Sequence, residues 1–217
     1  MSPDLSWETQ AGYPEVFLVG IDEVGRGCLA GPVMACALVL PPELGSAPWL
    51  SQVNDSKLLR PSVRKQLAPL LVQWSWGCAL GMADVLEIDA WNIHHASLVA
   101  MERAWEGLRR CSSHAYHKPL SRKSLRVFHA LVDGKWIPPG LLVQATSVVQ
   151  GDRRCLSIAA ASIVAKQARD EYMMDLGTRF PDYGFAQHKG YPTWIHKKAL
   201  REHGLCDHHR RSFCQKK

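Results

Sequence analysis

No apolar run in this chain approaches the ~18 residues that cross a bilayer, so a transmembrane helix is not expected. The N-terminus, Met1-Ser-Pro-Asp-Leu-Ser-Trp-Glu8, has neither a basic region nor an apolar core, so a signal peptide is not expected either. There is no internal repeat, no low-complexity tract and no Gly/Ser linker, which argues against a repeat array or tethered modules. Cysteines are present but unpaired in pattern. Cys28, Cys36, Cys78, Cys111, Cys155, Cys206 and Cys214 are odd in number and scattered, which points to free thiols in a reducing, cytoplasmic compartment. Charged residues make up 21% and hydrophobic ones 47%, a balance that excludes a largely disordered chain.

What is there is enough sequence for a core without staples. A chain of 217 residues buries roughly 70% of its unfolded surface. Its net charge of +6 is unevenly placed. Five acids (Asp4, Glu8, Glu15, Asp22, Glu23) precede the first basic residue, Arg26. From His188 to Lys217, eight Lys or Arg face two acids, so this tail alone nets +6. A basic region suggests an anionic partner, nucleic acid first. A solvated helix face is the plain alternative.

Short apolar runs bounded by Gly, Pro or Asp predict strands over 16–21, 32–40, 74–82, 125–132 and 142–149. Helices are predicted over 61–71, 89–108 (with Asp89 as a cap), 157–176 and 193–203, the last ended by Gly204. The order β-β-α-β-α-β-β-α-α predicts an α/β fold with a five-stranded mixed sheet flanked by helices and a C-terminal helical extension. The expected divisions are an N-terminal extension over 1–15, a core over 16–187 and a basic helical region over 188–217.

Acids fall at strand ends. Asp22 and Glu23 follow the first strand, Asp133 ends the fourth and Asp152 follows the fifth. Ligands of α/β sheets gather beyond strand ends. If these ends align, four carboxylates converge and repel unless cations neutralise them. An all-oxygen set suits Mg²⁺ or Mn²⁺ rather than zinc, and two such ions about 3.5–4 Å apart would make a phosphoryl-transfer site. Any one of these acids also reads as an ordinary turn or cap residue. The turn Gly25-Arg26-Gly27 would let backbone approach a ligand while the arginine reaches a phosphate. It lacks the Lys-Ser/Thr ending of a P-loop.

These residues carry a resemblance. Gly20-Ile-Asp-Glu-Val-Gly-Arg-Gly27, Val53-Asn-Asp-Ser-Lys57, Val132-Asp-Gly134, Gly151-Asp152, Ser157 to Lys166, Gln187-His-Lys-Gly-Tyr-Pro192 and His208-His-Arg-Arg-Ser-Phe213 occur in order. In them the chain resembles the type 2 ribonucleases H, most closely bacterial ribonuclease HII. The resemblance implies an RNase H-like fold and cleavage of the RNA strand of RNA–DNA hybrids. It also implies incision 5′ of single ribonucleotides in duplex DNA, leaving 3′-hydroxyl and 5′-phosphate ends. The family's metal-binding acids carry over to Asp22, Glu23, Asp133 and Asp152, and its cofactors to two Mn²⁺ or Mg²⁺ ions. Its reader of the ribose 2′-hydroxyl matches Gly25, Arg26 and Gly27. Its sugar-packing tyrosine matches Tyr191, and a segment near the substrate backbone matches Asn54, Ser56 and Lys57. Lys189 and the tail would add sequence-independent phosphate contacts. A monomer without an obligate protein partner is expected.

Three positions depart from the family pattern. Cys28 stands where proline is common and would loosen the turn. Arg153 follows Asp152 and would contact phosphate or screen that acid. Gln167 replaces a β-branched residue. Asp170 reads as a structural ion pair rather than a ligand, and Asp55 and Asp89 as turn or cap residues. Cys206, His208, His209 and Cys214 match no common zinc spacing. Two competing readings remain at this level. One is a non-catalytic nucleic-acid-binding module, which need not keep four acids at strand ends. The other is a related nuclease of the same fold, ribonuclease HIII-like or DNA-cutting.

Overall fold

In a computed structural model, residues 2–42, 44, 47–110 and 128–214 are described. A short helix α1 (Ser6–Gln10) precedes strands β1 (Phe17–Val24) and β2 (Val33–Val39). Helix α2 (Pro61–Trp74), strand β3 (Gly77–Ala83) and helix α3 (Val85–Arg110) follow. Then come β4 (Phe128–Asp133), β5 (Gln144–Val148), α4 (Leu156–Arg179), α5 (Phe185–His188), α6 (Trp194–His203) and α7 (Arg211–Cys214).

The five strands form one mixed sheet in the order β3-β2-β1-β4-β5. Pairs β1/β2 and β2/β3 are antiparallel, whereas β1/β4 and β4/β5 are parallel. Helices cover both faces, which is why β1 and β2 are apolar nearly throughout rather than alternating. Leu18, Cys36 and Leu38 turn to one face and pack with α2 and α4 through Leu67, Leu71, Ile158 and Ala161. Phe17, Val19, Ile21, Ala35 and Ala37 turn to the other and meet Ala100, Met101, Ala104 and Trp105 of α3. The contact between β1 and α4 is very close. A Cβ on Gly20 would sit 2.1 Å from the Ser157 backbone. The buried Glu8 of α1 accepts hydrogen bonds from the Ser157 N–H (2.8 Å) and hydroxyl (2.7 Å), tying the N-terminal helix to the start of α4.

The mixed sheet and the nine longer elements agree with the sequence expectation, and the differences have local causes. Helix α2 runs to Trp74 in spite of Pro69, and β3 begins only at Gly77. Helix α3 begins at Val85 rather than at Asp89, because Asp84 and Glu87 bond each other's backbone N–H in a reciprocal cap. Asn92 (φ 68°) breaks its regular winding, and its side-chain oxygen accepts from the N–H groups of His94 and His95, capping the second segment. Asp89 instead accepts from the N–H groups of Arg211 and Ser212, so it caps α7, far away in sequence. The strand expected from residue 125 is described from Phe128, and 125–127 lie outside the described residues. Thr193 caps α6 as its type predicts, accepting from the His196 N–H, and Gly204 (φ 71°) follows it. Helices α1, α5 and α7 are too short to leave a periodic signal. Among the described residues, no helix is long and apolar enough to cross a membrane.

Candidate metal centre

Parallel pairing of β1 with β4 decides the site. Ile21 lies opposite Val132 in the last pair of that register, so Asp22 and Asp133 stand side by side just beyond it. Asp22 and Glu23 do not follow β1, as expected from sequence, but lie within it, still paired with Cys36 and Ala35 of β2. Asp22, Glu23 and Asp133 each offer a carboxylate oxygen, and these oxygens lie within 4.8 Å of one another. Asp152 stands next to them on the 3₁₀ turn Gly151–Arg153. That turn is pinned by the Gly151 N–H, which donates to Asp133 Oδ1 at 2.6 Å.

The cluster holds more negative charge than its surroundings compensate. Burial, then the charges of Glu23 and Asp133, hold the Asp22 carboxyl well above the ordinary carboxylate range. Burial also pushes Asp133 up, to about 6; the Gly151 N–H opposes this, and the charge of Asp152 adds to it. Glu23 Oε2 is buried with no hydrogen-bond partner among the described residues. Lys57 Nζ lies 3.2 Å from Asp152 Oδ2, and Arg26 lies 2.9 Å from Glu23 Oε1. A crowded all-oxygen set with raised proton affinities and an unpartnered buried oxygen fits a hard divalent cation.

Of the other residues marked by sequence, Lys57 and Arg26 contact the cluster directly. Asn54 accepts from the Asp55 N–H. The Ser56 hydroxyl lies 2.9 Å from that of Ser162, which in turn hydrogen-bonds Asp22. The segment 54–57 is thereby wired to two of the acids, through Ser162 and through Lys57. The Gly25 and Gly27 turn follows β1 directly. Gly25 has φ 93°, and a Cβ there would meet the Arg169 guanidinium at 2.1 Å. A Cβ on Gly27 would meet no atom within 4 Å, so packing does not require glycine there. Tyr191 is part exposed, with the Lys166 ammonium 5.5 Å from its ring centre. The Lys189 side chain folds back onto the Ala186 carbonyl, while its own carbonyl accepts from Arg169.

Several departures resolve differently from their sequence reading. Cys28 does not loosen the turn: it is fully buried, and its N–H closes on the Gly25 carbonyl. Arg153 does not screen Asp152 but pairs with the buried Asp55 at 2.9 Å, because Asp55 would otherwise be an uncompensated buried charge. Gln167 bonds Glu171 one turn along the exposed face of α4. Asp170 is an ion-pair residue, held by Arg64 (3.2 Å) and Lys166 (2.6 Å). The Cys/His group of the tail does not converge. His208 packs edge-on against Phe180, and Cys214 turns to the Leu29 carbonyl. Sequence reasoning did not assign Ser162, Arg169, His196 or Arg210 a role; their only signal was membership of the matched stretches or of the basic tail.

The sequence profile described as Ribonuclease HII matches residues 19–216. The chain belongs to the ribonuclease HII family. It is similar to ribonuclease HII of Magnetococcus marinus, 46% identical over 196 residues, covering 90% of this chain and 84% of that one. It is similar to that of Jannaschia sp., 44% identical over 213 residues, with 98% and 96% covered. Among solved structures it resembles ribonuclease H2 of Pyrococcus horikoshii OT3 (TM-score 0.64, 23% identity, 91% of this chain and 93% of that one). It also resembles the ribonuclease HII of Archaeoglobus fulgidus solved in complex with PCNA (TM-score 0.68, 22% identity, 93% and 97% covered). At that identity the likeness concerns the fold, which is the RNase H-like fold expected from sequence. As a ribonuclease HII, the protein is a metal-dependent endoribonuclease acting on RNA–DNA hybrids.

Proposed function

We propose that this ribonuclease HII also incises duplex DNA on the 5′ side of single embedded ribonucleotides, and that Asp22, Glu23, Asp133 and Asp152 hold two divalent ions, Mn²⁺ or Mg²⁺, for the reaction. The observation that carries the metal reading is the convergence of Asp22, Glu23 and Asp133 beside Asp152, with Asp22 and Asp133 both raised in proton affinity. Bound cations supply Lewis-acid stabilisation of charge on the scissile phosphate and lower the pKa of water. In the reaction a water oxygen forms a bond to phosphorus while the bond from phosphorus to the 3′-oxygen breaks. The products are a 3′-hydroxyl and a 5′-phosphate.

The chain's own residues bind and orient. Asp22, Glu23, Asp133 and Asp152 fix the cations at the sheet's end, on rigid strands and a pinned turn. Lys57, exposed apart from its contact with Asp152, offers its ammonium to the phosphate backbone beside Asn54, while the buried Ser56 braces that segment through Ser162. The open space beside Gly27 admits a ribose edge to backbone N–H groups of the Gly25-Arg26-Gly27 turn, which distinguishes RNA from DNA through the 2′-hydroxyl. The ring of Tyr191 tolerates a deoxyribose face and crowds a 2′-hydroxyl, which selects an RNA–DNA junction. Lys189 and the basic region 188–217 hold the duplex by charge, as a substrate-binding region beside the core 16–187 and its N-terminal extension 1–15. The described cysteines are free thiols, which supports a reducing, cytoplasmic setting. A monomer suffices for this chemistry, because every proposed group comes from one chain.

The test is a DNA duplex containing one ribonucleotide, incubated with Mn²⁺ or Mg²⁺ and then with EDTA. The expected result is a metal-dependent nick 5′ of the ribonucleotide, abolished in Asp22→Asn with binding retained. Cleavage of all-DNA duplex, or near wild-type activity of Asp22→Asn, would overturn the reading.

A further inference from the structure

The glycine turn after β1 and the segment of Tyr191 are both shaped by one short stretch of the tail. The Arg210 side chain is fully buried and, among the described residues, has no carboxylate partner. Its guanidinium is spent on backbone carbonyls of the glycine turn: Gly25 (2.7 Å), Arg26 (2.8 Å) and Gly31 (2.9 and 2.8 Å). Arg169, also fully buried, grips Ala30, Pro32 and Lys189 in the same way. Burying an arginine without a counter-ion costs free energy, which here is offset by the backbone carbonyls it satisfies.

The grip has a geometric consequence. In a trans peptide the N–H points opposite to the C=O. Holding the Gly25 and Arg26 carbonyls therefore turns the N–H groups of Arg26 and Gly27 away from Arg210. Among the described residues neither N–H donates a hydrogen bond, and Gly27 faces open space. The turn presents two unpaired donors side by side.

The residue before Arg210 reaches the second element. The Cys206 N–H donates to His209 Nδ1 at 3.0 Å, so the His209 proton sits on Nε2. His209 Nε2 lies 3.0 Å from His196 Nε2, and His196 Nδ1 lies 2.9 Å from the Tyr191 carbonyl. A carbonyl only accepts, so the His196 proton sits on Nδ1 and its Nε2 accepts. The chain is directed throughout: Cys206 to His209 to His196 to Tyr191. All of it is buried except the two ends.

We propose that His209 and Arg210 are positioning residues that set the two sugar-reading elements in register, Arg210 by aiming the Arg26 and Gly27 N–H groups and His209 by fixing Tyr191 through His196. This rests on the reading of that turn and of Tyr191 as sugar readers. Adjacent residues thus tie the group that requires a 2′-hydroxyl on one side of the cut to the group that refuses it on the other.

The experiment measures kcat and KM on a single-ribonucleotide duplex and on a continuous RNA–DNA hybrid, for Arg210→Lys, Arg210→Met, His209→Phe and His209→Gln, with thermal melts of each. Wild type is measured first: if it shows no 2′-hydroxyl requirement and no junction preference, the underlying reading fails rather than this inference. With wild-type selectivity present, Arg210→Met and His209→Phe should each lower kcat on the single-ribonucleotide duplex at least tenfold, with KM changed less than threefold. His209→Gln, which keeps an N–H donor at the Nε2 position, should recover to within threefold of wild type. The proposal is overturned if folded Arg210→Met or His209→Phe keeps wild-type kcat, if the effect lies in KM alone, or if His209→Gln is as impaired as His209→Phe. Loss of folding in both conservative variants, Arg210→Lys and His209→Gln, would make the segment a brace of the fold only and would also overturn it.

Discussion

Removing a charge from the metal centre should stabilise the metal-free protein. In Asp133→Asn the amide keeps an oxygen to accept the Gly151 N–H, now at 2.6 Å, and loses the negative charge. The carboxyl of Asp133 is raised from 3.8 to about 6, chiefly by burial and then, against the lowering Gly151 hydrogen bond, by the charge of Asp152. A folded-state value above the unfolded one means that the folded protein resists ionisation. The stability present below about pH 4 is lost as pH rises through 6, and above that the full cost is borne. The difference corresponds to about 3 kcal/mol, reduced to about 2 kcal/mol for the part-exposed setting of this side chain. Urea unfolding in EDTA at pH 7.5 should therefore show Asp133→Asn more stable than wild type by about 2 kcal/mol, while its nuclease activity is lost. The gap should close near pH 4. Added Mn²⁺ should raise the wild-type midpoint more than that of the variant, because cations discharge the repulsion that the variant already lacks. A variant no more stable than wild type at pH 7.5 in EDTA would refute the argument that the cluster is electrostatically strained without cations.

The glycine turn and the histidine chain give two further expectations. Gly27→Ala meets no protein atom, so its melting temperature should stay within about 2 °C of wild type, a shift of no more than about 1 kcal/mol, while cleavage at a ribonucleotide falls at least tenfold; Gly25→Ala, whose Cβ would overlap Arg169 at positive φ, should lose stability itself. Thermal melts and cleavage assays on both variants check this, and unchanged cleavage by Gly27→Ala would remove the turn from the site. Burial, then the charge of His196, lowers His209 to about 4, and burial also lowers His196 and His188, which stack on each other beside Tyr183 and Phe185. The unfolded chain binds these protons near pH 6.5, so stability is fully present above that value and is lost as pH falls toward 4. His209 alone contributes about 3 kcal/mol to that loss. Urea midpoints between pH 7 and 4.5 should fall less steeply in His209→Gln, and parallel slopes would show that His209 does not titrate as its burial requires.

Much of this protein was legible along the chain. Apolar runs in β1 and β2 are set by residue type, and the acids follow those runs in sequence, so the carboxylates could be named, although β1 runs on through Asp22 and Glu23 to Val24 because β2 continues to pair with it. The end of α6 at Gly204 was equally local, because a cap is a bond between residues three or four apart. The motifs from Asp22 to Phe213 were specific enough to point to a family. Asp89 was misassigned for the opposite reason: its partners, Arg211 and Ser212, lie more than a hundred positions away, and no local pattern encodes them. Arg153 was placed beside Asp152 by adjacency, but folding brings it to Asp55, where a buried charge needs a counter-ion.

The sequence by itself determined which elements form and which residue types stand at their ends. It also carried the uneven charge, acids early and bases late. Only the tertiary structure decided that Asp22 meets Asp133, because parallel register between β1 and β4 is a long-range choice made by burial on both sheet faces. Only the tertiary structure turned the tail from a basic surface into a partly buried one. Arg210 and His209 look in sequence like further positive charge. Folded, they are desolvated donors and acceptors: Arg210 bonds the backbone of the turn, and His209 bonds His196, which in turn bonds the Tyr191 carbonyl. A residue's type fixes the bonds it is able to make, and its surroundings, assembled from distant segments, fix which of them it does make.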